Sequence, residues 1–377
     1  MTNRTREALD ALHAHLREAA TLQSVGALLG WDQETMMPPR AAPFRSEESS
    51  LLARLVHRRW TDPRVGEWLD VAESDPELPP GSATVANLRE IRRDHERASR
   101  VPEALVAELS ELGSRGLEHW KEARARSDFE RFRPTLERIV ELVRKKAECL
   151  GVPEGGEAYD ALLDEFEPGM TARGVEALFG PLRDALAPFL AEVADAPRRP
   201  SAAIHRLELP EAAQHAFHLE VLAAIGYDLE AGRLDVSTHP FTEGLAPGDT
   251  RITTRFGDAG FADALGSTIH ETGHALYEQG LPKAEHHGQP LAEAAGLGIH
   301  ESQSRMWENQ VGRSRAFWTW ALPVAKRHFG AALDGVDLDE VHGAMNLVRP
   351  GLIRVEADEV SYNLHVMLRF DLERAMI

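Results

Sequence analysis

The residues best suited to chemistry lie in the sequence HETGH at positions 270–274, an HExxH motif. His270 and His274 are four positions apart, so on a helix both imidazoles project from one face, about one turn apart. That spacing suits two ligands of one tetrahedral zinc ion. Glu271 lies beside them, where a carboxylate can take a proton from an activated water. The motif therefore predicts zinc-dependent hydrolysis with Glu271 as the general base.

The segment around the motif predicts a helix that holds both histidines rigidly. Residues 261–279 contain no proline, and apolar residues such as Leu265 and Ile269 recur at helical spacing. Gly280 and Pro282 follow as a stop signal. The alternative is an exposed helix on which two histidines and a glutamate occur together by chance, since a five-residue motif has a real false-positive rate.

A zinc site of this kind needs a third protein ligand. The metzincin pattern would place glycine at 277 and histidine at 280, whereas this chain has Tyr277 and Gly280, which excludes that class. The alternative is a glutamate on a following helix, as in the His2Glu sites of thermolysin-like enzymes. The proline-free segment 297–308 supplies it, and Glu301 is the predicted ligand. The competing candidates are Glu293, Glu308 and His300.

Histidines that bind a metal also need partners for their second ring nitrogens. Thermolysin-like sites commonly place an acid four residues after the glutamate ligand, but that position is Arg305 here. Another group must therefore orient His270 and His274, and the sequence does not identify it.

The composition is that of a globular chain and argues against two classes of partner. Of 377 residues, 27% are charged and 43% hydrophobic. The 42 basic and 61 acidic residues give a net charge of −19, which argues against nucleic acid or an anionic membrane. There is no apolar run long enough to span a bilayer, and the first residues lack the apolar core of a signal peptide. Cys149 is alone, so no intramolecular disulfide can form and a cytoplasmic location is expected.

Helical periodicity dominates the chain and predicts a mainly α-helical fold. Strand signals are scarce and are densest at 205–209 and 250–256. They predict a small sheet beside the HExxH helix, whose extended backbone could pair with a peptide substrate. The chain reads as one domain over 1–377, with internal breaks expected at the proline-rich loops 74–81 and 196–200. The helical patterns occupy residues 9–20, 83–150, 171–196, 211–227, 314–330 and 337–375.

Longer sequence blocks carry a family resemblance. The stretches HETGHALYEQG at 270–280 and GIHESQSRMWENQVGRS at 298–314 resemble the M32 carboxypeptidase family, the carboxypeptidase Taq type. The resemblance runs along essentially the whole chain. It is also carried by an HPF element at 239–241, a DxRxT element at 249–253, an I[RA]xxAD element at 353–358, and blocks at 31–38, 159–164 and 167–171.

The resemblance implies a helical, zincin-like metallopeptidase with a deep groove and a small β-sheet near the active site. It implies a metallocarboxypeptidase that removes C-terminal residues with broad specificity, so its partners are peptides with a free C-terminus. Zinc is the expected metal, held by His270, His274 and Glu301, and cobalt or manganese could substitute for it. A homodimer is also implied.

A carboxypeptidase must bind the free carboxylate of its substrate, and arginine does this best through its planar two-donor fork. Arg251 and Arg354 are the candidates because both fall in family blocks. His239, in an extended setting before Pro240, is a candidate hydrogen-bond donor to the peptide or to an oxyanion. Tyr362, on the helix after the I[RA]xxAD element, is a further candidate to face the cleft. Each has a structural alternative, an ion pair or a packing role.

The C-terminal end departs from the family pattern. Family members continue to a GxxQDxHW element and a tyrosine-containing region, whereas this chain ends at Ile377 in a stretch of helical character without a stop signal. The sequence therefore predicts a C-terminally incomplete domain whose cleft lacks part of a wall. Two functional alternatives follow: a zinc endopeptidase or oligopeptidase of related helical fold, and a truncated, weakly active metal-binding protein.

Overall fold

The computed structural model describes residues 1–256, 260–354 and 357–377. The chain is mainly α-helical, as predicted. Within these ranges, every helix falls short of the length or the apolar character that a bilayer crossing requires. The α-helices are α1 (Asn3–Thr35), α2 (Ala42–Trp60), α3 (Pro63–Glu73), α4 (Ala83–Arg100), α5 (Glu103–Arg126), α6 (Phe129–Leu150), α7 (Ala158–Phe166), α8 (Ala172–Ala194), α9 (Glu211–Ile225), α10 (Phe261–Gly280), α11 (Lys283–His286), α12 (Leu297–Arg305), α13 (Arg315–Phe329), α14 (Leu338–Met345) and α15 (Glu359–Met376).

A three-stranded sheet packs against the helix that carries the HExxH motif. The central strand β3 (Asp249–Thr254) pairs in parallel with β1 (Gly232–Val236) and antiparallel with β2 (Thr242–Ala246). Both β2 and β3 contact α10, and β2 also contacts α1. The strand predicted at 250–256 and the small sheet beside the HExxH helix are therefore confirmed.

The strand predicted at 205–209 is wrong. Ile204–Arg206 forms a short 3-10 helix. The ring of His205 bonds the carbonyl oxygen of Ala344 through Nε2 at 2.8 Å, which ties this segment to α14. The alternating Leu207 and Leu209 pack onto the hydrophobic core that α9, α10 and α13 share. The alternation of apolar and polar residues at 205–209 therefore arises because one side of a loop is buried, and not because the segment pairs in a sheet.

The continuous helical pattern predicted for 337–375 is interrupted. Helix α14 ends at Met345, and α15 begins only at Glu359. Pro350 disfavours helical backbone in the residue before it, and Asp358 caps α15 by accepting hydrogen bonds from two backbone N–H groups of its first turn. In the predicted family block 353–358, positions 355 and 356 lie outside the described residues.

The largest hydrophobic core fixes the position of α10. Phe261 and Leu265 of this helix are buried against Phe217 of α9 and Phe329 of α13. Trp318 is fully buried in the same cluster, and its indole Nε1 donates a hydrogen bond to the carbonyl oxygen of Gly312 at 2.9 Å. Large aromatic side chains contribute most of the buried area in such a core. The core therefore holds α10 rigidly, which is what a pair of ligands on that helix requires.

His218 is a fully buried histidine at the edge of this core, and it should make folding sensitive to acid. Its Nδ1 lies 2.9 Å from Thr268 Oγ1, and burial lowers the pKa of His218 to about 3. The unfolded chain titrates this group near the ordinary value of about 6.5. As the pH falls between these values, only the unfolded state gains the proton. We therefore expect His218 to lower the free energy of unfolding by about 1.4 kcal/mol per pH unit in this range.

Denaturant unfolding of the metal-free protein and of His218→Asn at several pH values checks this expectation. Asparagine places an oxygen where the Nδ1 atom of His218 lies, so the contact with Thr268 can persist. The variant should lose stability in acid less steeply than the unmodified protein, by about one proton. Parallel pH profiles would contradict the assignment.

Candidate metal centre

The two histidines of α10 converge with one glutamate of α12. The Oε2 atom of Glu301 lies 3.6 Å from His270 Nε2 and 3.2 Å from His274 Nε2. One ligand atom from each of the three residues lies within 4.8 Å of the others, and in the described part of the chain no other group of three metal-ligating side chains converges in this way. Two imidazole nitrogens and one carboxylate oxygen are a donor set that fits one divalent metal ion.

The close crossing of α10 and α12 depends on Gly273, in the middle of the HExxH motif. A Cβ atom at this position would lie 2.5 Å from the Cα atom of Ser304 and 2.7 Å from the carbonyl oxygen of Gln303. Both are backbone atoms, so they could move only if α12 moved. The buried hydroxyl of Ser304 lies 3.0 Å from Oε2 of Glu301. Gly273 therefore sets the distance at which Glu301 reaches the histidines.

The Nδ1 atom of His270 has a carboxylate partner. It lies 2.9 Å from Oε2 of Glu308, which sits on a π-helical turn, Met306–Gly312, that continues α12. Glu308 also accepts hydrogen bonds from Arg305 at 2.9 Å and from Arg313 at 3.1 Å. This carboxylate faces the far side of the His270 ring, so the structure places Glu308 as the partner that orients His270 and outside the converging ligand set.

The Nδ1 atom of His274 has a different partner. It lies 2.5 Å from Nδ1 of His300, whose Nε2 atom lies 2.7 Å from Glu278 Oε1. The other carboxylate oxygen of Glu278 pairs with the ammonium group of Lys283. Glu293, the last competing candidate, is an exposed residue near Lys283, and partial desolvation by the surrounding protein raises the pKa of its carboxyl. The structure therefore keeps His300 and Glu293 outside the converging set as well.

The charges around these side chains keep the carboxylates ionised. Burial alone raises the pKa of Glu301, but the hydrogen bond to His274 and the charges of both histidines outweigh it and lower the pKa to about 2. Burial also raises the pKa of Glu308, but the hydrogen bond to His270 and the charge of Arg305 bring it to about 2. Burial lowers the pKa of His270, yet the hydrogen bond that its ring donates to Glu308 and the charges of nearby carboxylates produce a net rise. Because of this rise, a metal ion and a proton compete more strongly for His270.

Glu271 is buried beside the converging set, with 7% of its surface exposed. Its Oε2 atom lies 2.7 Å from the hydroxyl of Thr242, which is also 2.8 Å from the Glu271 carbonyl oxygen. Thr242 belongs to β2, 29 positions away in sequence. The motif gave no sign of this contact, because it arises only where the sheet packs against α10. The hydroxyl holds the carboxylate in one orientation.

A cavity opens in front of His270 and Glu271. Of the predicted substrate-binding residues, Arg354, Tyr362 and His239 line it. The Tyr362 hydroxyl lies 3.1 Å from Nη1 of Arg354 and 3.2 Å from Oε1 of Glu301, so it joins the arginine to the converging set. Four further arginines line the same cavity, and none of them was among the predicted substrate-binding residues: Arg255, Arg305, Arg313 and Arg349.

Arg251 and His239 are held by neighbours in the chain. Both oxygens of Asp249 accept hydrogen bonds from Arg251 at 2.8 Å, and its guanidinium stacks over the buried Trp31 at 4.5 Å. The structure does not bring Arg251 to the lining of the cavity. The Nδ1 atom of His239 lies 2.7 Å from the carbonyl oxygen of Pro240, which leaves Nε2 as the ring atom that can meet a ligand.

Comparisons with known proteins agree with this geometry. A family model described as carboxypeptidase Taq (M32) metallopeptidase matches residues 11–377. Thermostable carboxypeptidase 1 of Thermus thermophilus is 49% identical over 368 residues, which cover 96% of this chain and 72% of that protein. Carboxypeptidase 1 of Bacillus subtilis is 35% identical over 351 residues, covering 93% of this chain and 69% of the relative.

Solved structures show the same fold. The M32 carboxypeptidase from Deinococcus radiodurans R1 superposes with a TM-score of 0.87 at 42% identity, covering 98% of this chain and 73% of that one. The carboxypeptidase of Pyrococcus furiosus gives a TM-score of 0.87 at 34% identity, covering 100% and 74%. The family resemblance of the sequence blocks is thereby confirmed, and this chain belongs to the M32 (carboxypeptidase Taq) family of metallocarboxypeptidases.

Proposed function

We propose that this protein uses zinc to remove C-terminal residues from peptides with broad specificity. The observation that carries the proposal is the convergence of His270, His274 and Glu301, with His270 and Glu271 lining a cavity that Arg354 also lines. A His2Glu donor set is typical of catalytic zinc, and the same nitrogen and oxygen donors also accept cobalt or manganese. When bound, the metal supplies Lewis-acid chemistry, since it acidifies a water molecule and polarises the scissile carbonyl.

Glu271 is the proposed proton carrier. Its carboxylate takes a proton from the attacking water and then delivers it to the leaving amine. The hydrogen bond from Thr242 at 2.7 Å holds Oε2, so the carboxylate does not need to reorient between these two steps. Its burial limits access of bulk water to the proton in transit.

Arg354 is the proposed receptor for the terminal carboxylate of the substrate. It lines the cavity, and in the described part of the chain no carboxylate lies within ion-pair distance of its guanidinium. Arg251 is already paired with Asp249, so we assign the substrate carboxylate to Arg354. The hydroxyl of Tyr362 contacts both Arg354 and Glu301 and so fixes the positions of these two side chains relative to each other.

His239 is proposed to contact the peptide at the edge of the cavity. With Nδ1 donating to the Pro240 carbonyl oxygen, a neutral ring has no proton on Nε2 and can only accept a hydrogen bond there. It can donate to a carbonyl or to an oxyanion only as the imidazolium. A neutral His239 would therefore select a peptide N–H group of the substrate.

A paired-substrate assay tests the proposed function. Zinc-loaded protein, its metal content measured, is incubated with one unblocked peptide and with the same peptide amidated at its C-terminus, and products are identified by mass over time. A carboxypeptidase shortens the free-acid peptide one residue at a time and spares the amide. Internal cleavage of both peptides would support the endopeptidase alternative, and no cleavage of either would support a metal-binding protein of weak activity.

Replacing Arg354 by alanine should weaken this discrimination. Loss of one charge-assisted contact costs about 1.5–3 kcal/mol, so kcat/KM for the free-acid peptide should fall by about 10–150-fold. Arg251→Ala is the matched control, because it removes an arginine of a family block that is held by Asp249. Equal losses on free-acid and amidated substrates would show that Arg354 supports the structure and does not bind the carboxylate.

The family resemblance also supports a homodimer, and a half-buried free thiol at Cys149 fits a reducing cytoplasm. Light scattering of the purified protein tests the first of these proposals.

A further inference from the structure

His274 can serve the proposed metal site in only one of its two neutral tautomers. Its Nε2 atom points to Glu301 Oε2 at 3.2 Å, so Nε2 is the atom that would bind the metal. A nitrogen that binds a metal carries no proton, and a neutral imidazole has one proton. That proton must therefore lie on Nδ1, which makes Nδ1 a hydrogen-bond donor.

The partner of that donor is another histidine, and this fixes its tautomer in turn. Nδ1 of His300 lies 2.5 Å from Nδ1 of His274, so it must accept the hydrogen bond. The proton of the neutral His300 ring then lies on Nε2, which donates to Glu278 Oε1 at 2.7 Å. The reverse direction would place a proton on His274 Nε2 and exclude it as a ligand.

Glu278, the last residue in this series of hydrogen bonds, fixes the direction in which the bonds are donated. The second oxygen of Glu278 pairs with Lys283, and the side chains of both residues are nearly buried, at 13% and 11% exposure. Strand β2 packs directly on the pair, since a Cβ at Gly244 would lie 2.4 Å from Glu278 Oε2 and 2.7 Å from Lys283 Nζ. Glu278 can therefore only accept from His300.

We propose that His300 is a positioning residue that fixes His274 as its Nδ1–H tautomer, and that Glu278, held by Lys283, fixes His300. The proposal rests on the proposed metal site. His270 differs, because the carboxylate of Glu308 contacts its Nδ1 directly. The two histidines of the motif are thus oriented by different means, one by a carboxylate and one through a second imidazole.

Two substitutions at His300 separate hydrogen bonding from shape. Asparagine places an oxygen where Nδ1 of His300 lies, and this oxygen can accept the hydrogen bond from His274. Leucine has nearly the same shape as asparagine but cannot accept a hydrogen bond. The dissociation constant for zinc, measured by competition with a chromophoric chelator, should rise by about 10–100-fold for His300→Leu. His300→Asn should stay close to the unmodified protein. The absorption spectrum of the cobalt-loaded protein should change more in His300→Leu than in His300→Asn.

A second pair of variants tests the direction of the hydrogen bonds at Glu278. In Glu278→Gln the amide oxygen must face Lys283, so the amide N–H2 faces His300 and forces its proton onto Nδ1, against His274. Zinc binding should weaken although the substitution is nearly isosteric. Glu293→Gln is the control, because Glu293 is another carboxylate near Lys283 but makes no hydrogen bond to His300 in the described part of the chain. It should keep full affinity.

Each outcome bears on the proposal, and circular dichroism of the metal-free variants shows which of them are folded. Equal affinities for His300→Leu and His300→Asn, or full affinity in Glu278→Gln, would overturn it. If His300→Leu does not fold, the Glu278→Gln and Glu293→Gln pair decides alone. A separate result would show that the proposed metal site itself is wrong: His274→Ala would then bind zinc as tightly as the unmodified protein.

Discussion

Glu271→Gln is expected to bind metal normally and to lose turnover by roughly 10²–10⁴-fold, the usual contribution of a positioned general base. The amide has nearly the shape of the carboxylate, but it cannot accept the proton of the attacking water. Its oxygen can still accept the hydrogen bond from Thr242 that Glu271 receives at 2.7 Å. The substitution therefore removes a chemical step while it leaves the ligand set and its surroundings in place.

Metal content and kcat, measured on the same preparation, check this expectation. The control is Glu285→Gln, the same chemical change at an exposed position of α11, which should alter neither quantity. Near-normal kcat in a metal-loaded Glu271→Gln sample would remove Glu271 from the mechanism. A loss of metal in that variant would show instead that the carboxylate supports binding.

The site could be predicted from the sequence where its geometry is local. The spacing of His270 and His274 on a helix fixes their common face, and α10 extends from Phe261 to Gly280 as the pattern indicates. Glu301 could be proposed because a second proline-free segment follows at short distance. The common face of the two histidines and the extent of each helix depend on near neighbours in the chain, which sequence periodicity reports directly.

The sequence could not show which groups contact and orient the predicted ligands and Glu271. Glu308 reaches His270 because α12 continues into a π-helical turn, a local change of helix type that periodicity does not predict. Thr242 meets α10 only through packing of the sheet, and Glu278 of α10 meets His300 of α12 only where the two helices pack together. Gly273 looked like one of the two variable positions of the motif, yet its missing Cβ permits the helix crossing. Such contacts are set by tertiary packing.

Glu301→Ala is expected to lose most of the bound metal, together with all activity that depends on it. Glu301 supplies one of three converging ligand atoms, and its ionised carboxylate is the only anionic member of that set. Two neutral imidazoles would remain, fewer than the three protein ligands of a catalytic zinc site. The zinc dissociation constant should rise by more than the roughly 10–100-fold that loss of a supporting partner costs.

Glu308→Ala is the comparison that separates a ligand from a supporting residue. Without Glu308, His270 loses the acceptor at 2.9 Å, and the charges of Arg305 and Arg313 are left uncompensated beside it. The metal should therefore bind more weakly, but by less than in Glu301→Ala. Ser302→Ala, an exposed position on the same helix as Glu301, should change nothing.

The order of the measured affinities decides the assignment of the third ligand. If Glu301→Ala kept full zinc while Glu308→Ala or Glu293→Ala lost it, the third ligand would be the carboxylate on the Nδ1 side of His270 or the one near Lys283. The convergence of Oε2 of Glu301 on the two Nε2 atoms would then be an ion pair of the metal-free state. Because that ion pair and the metal compete for the same atoms, proton release on zinc binding should accompany high affinity, and both should disappear together in Glu301→Ala.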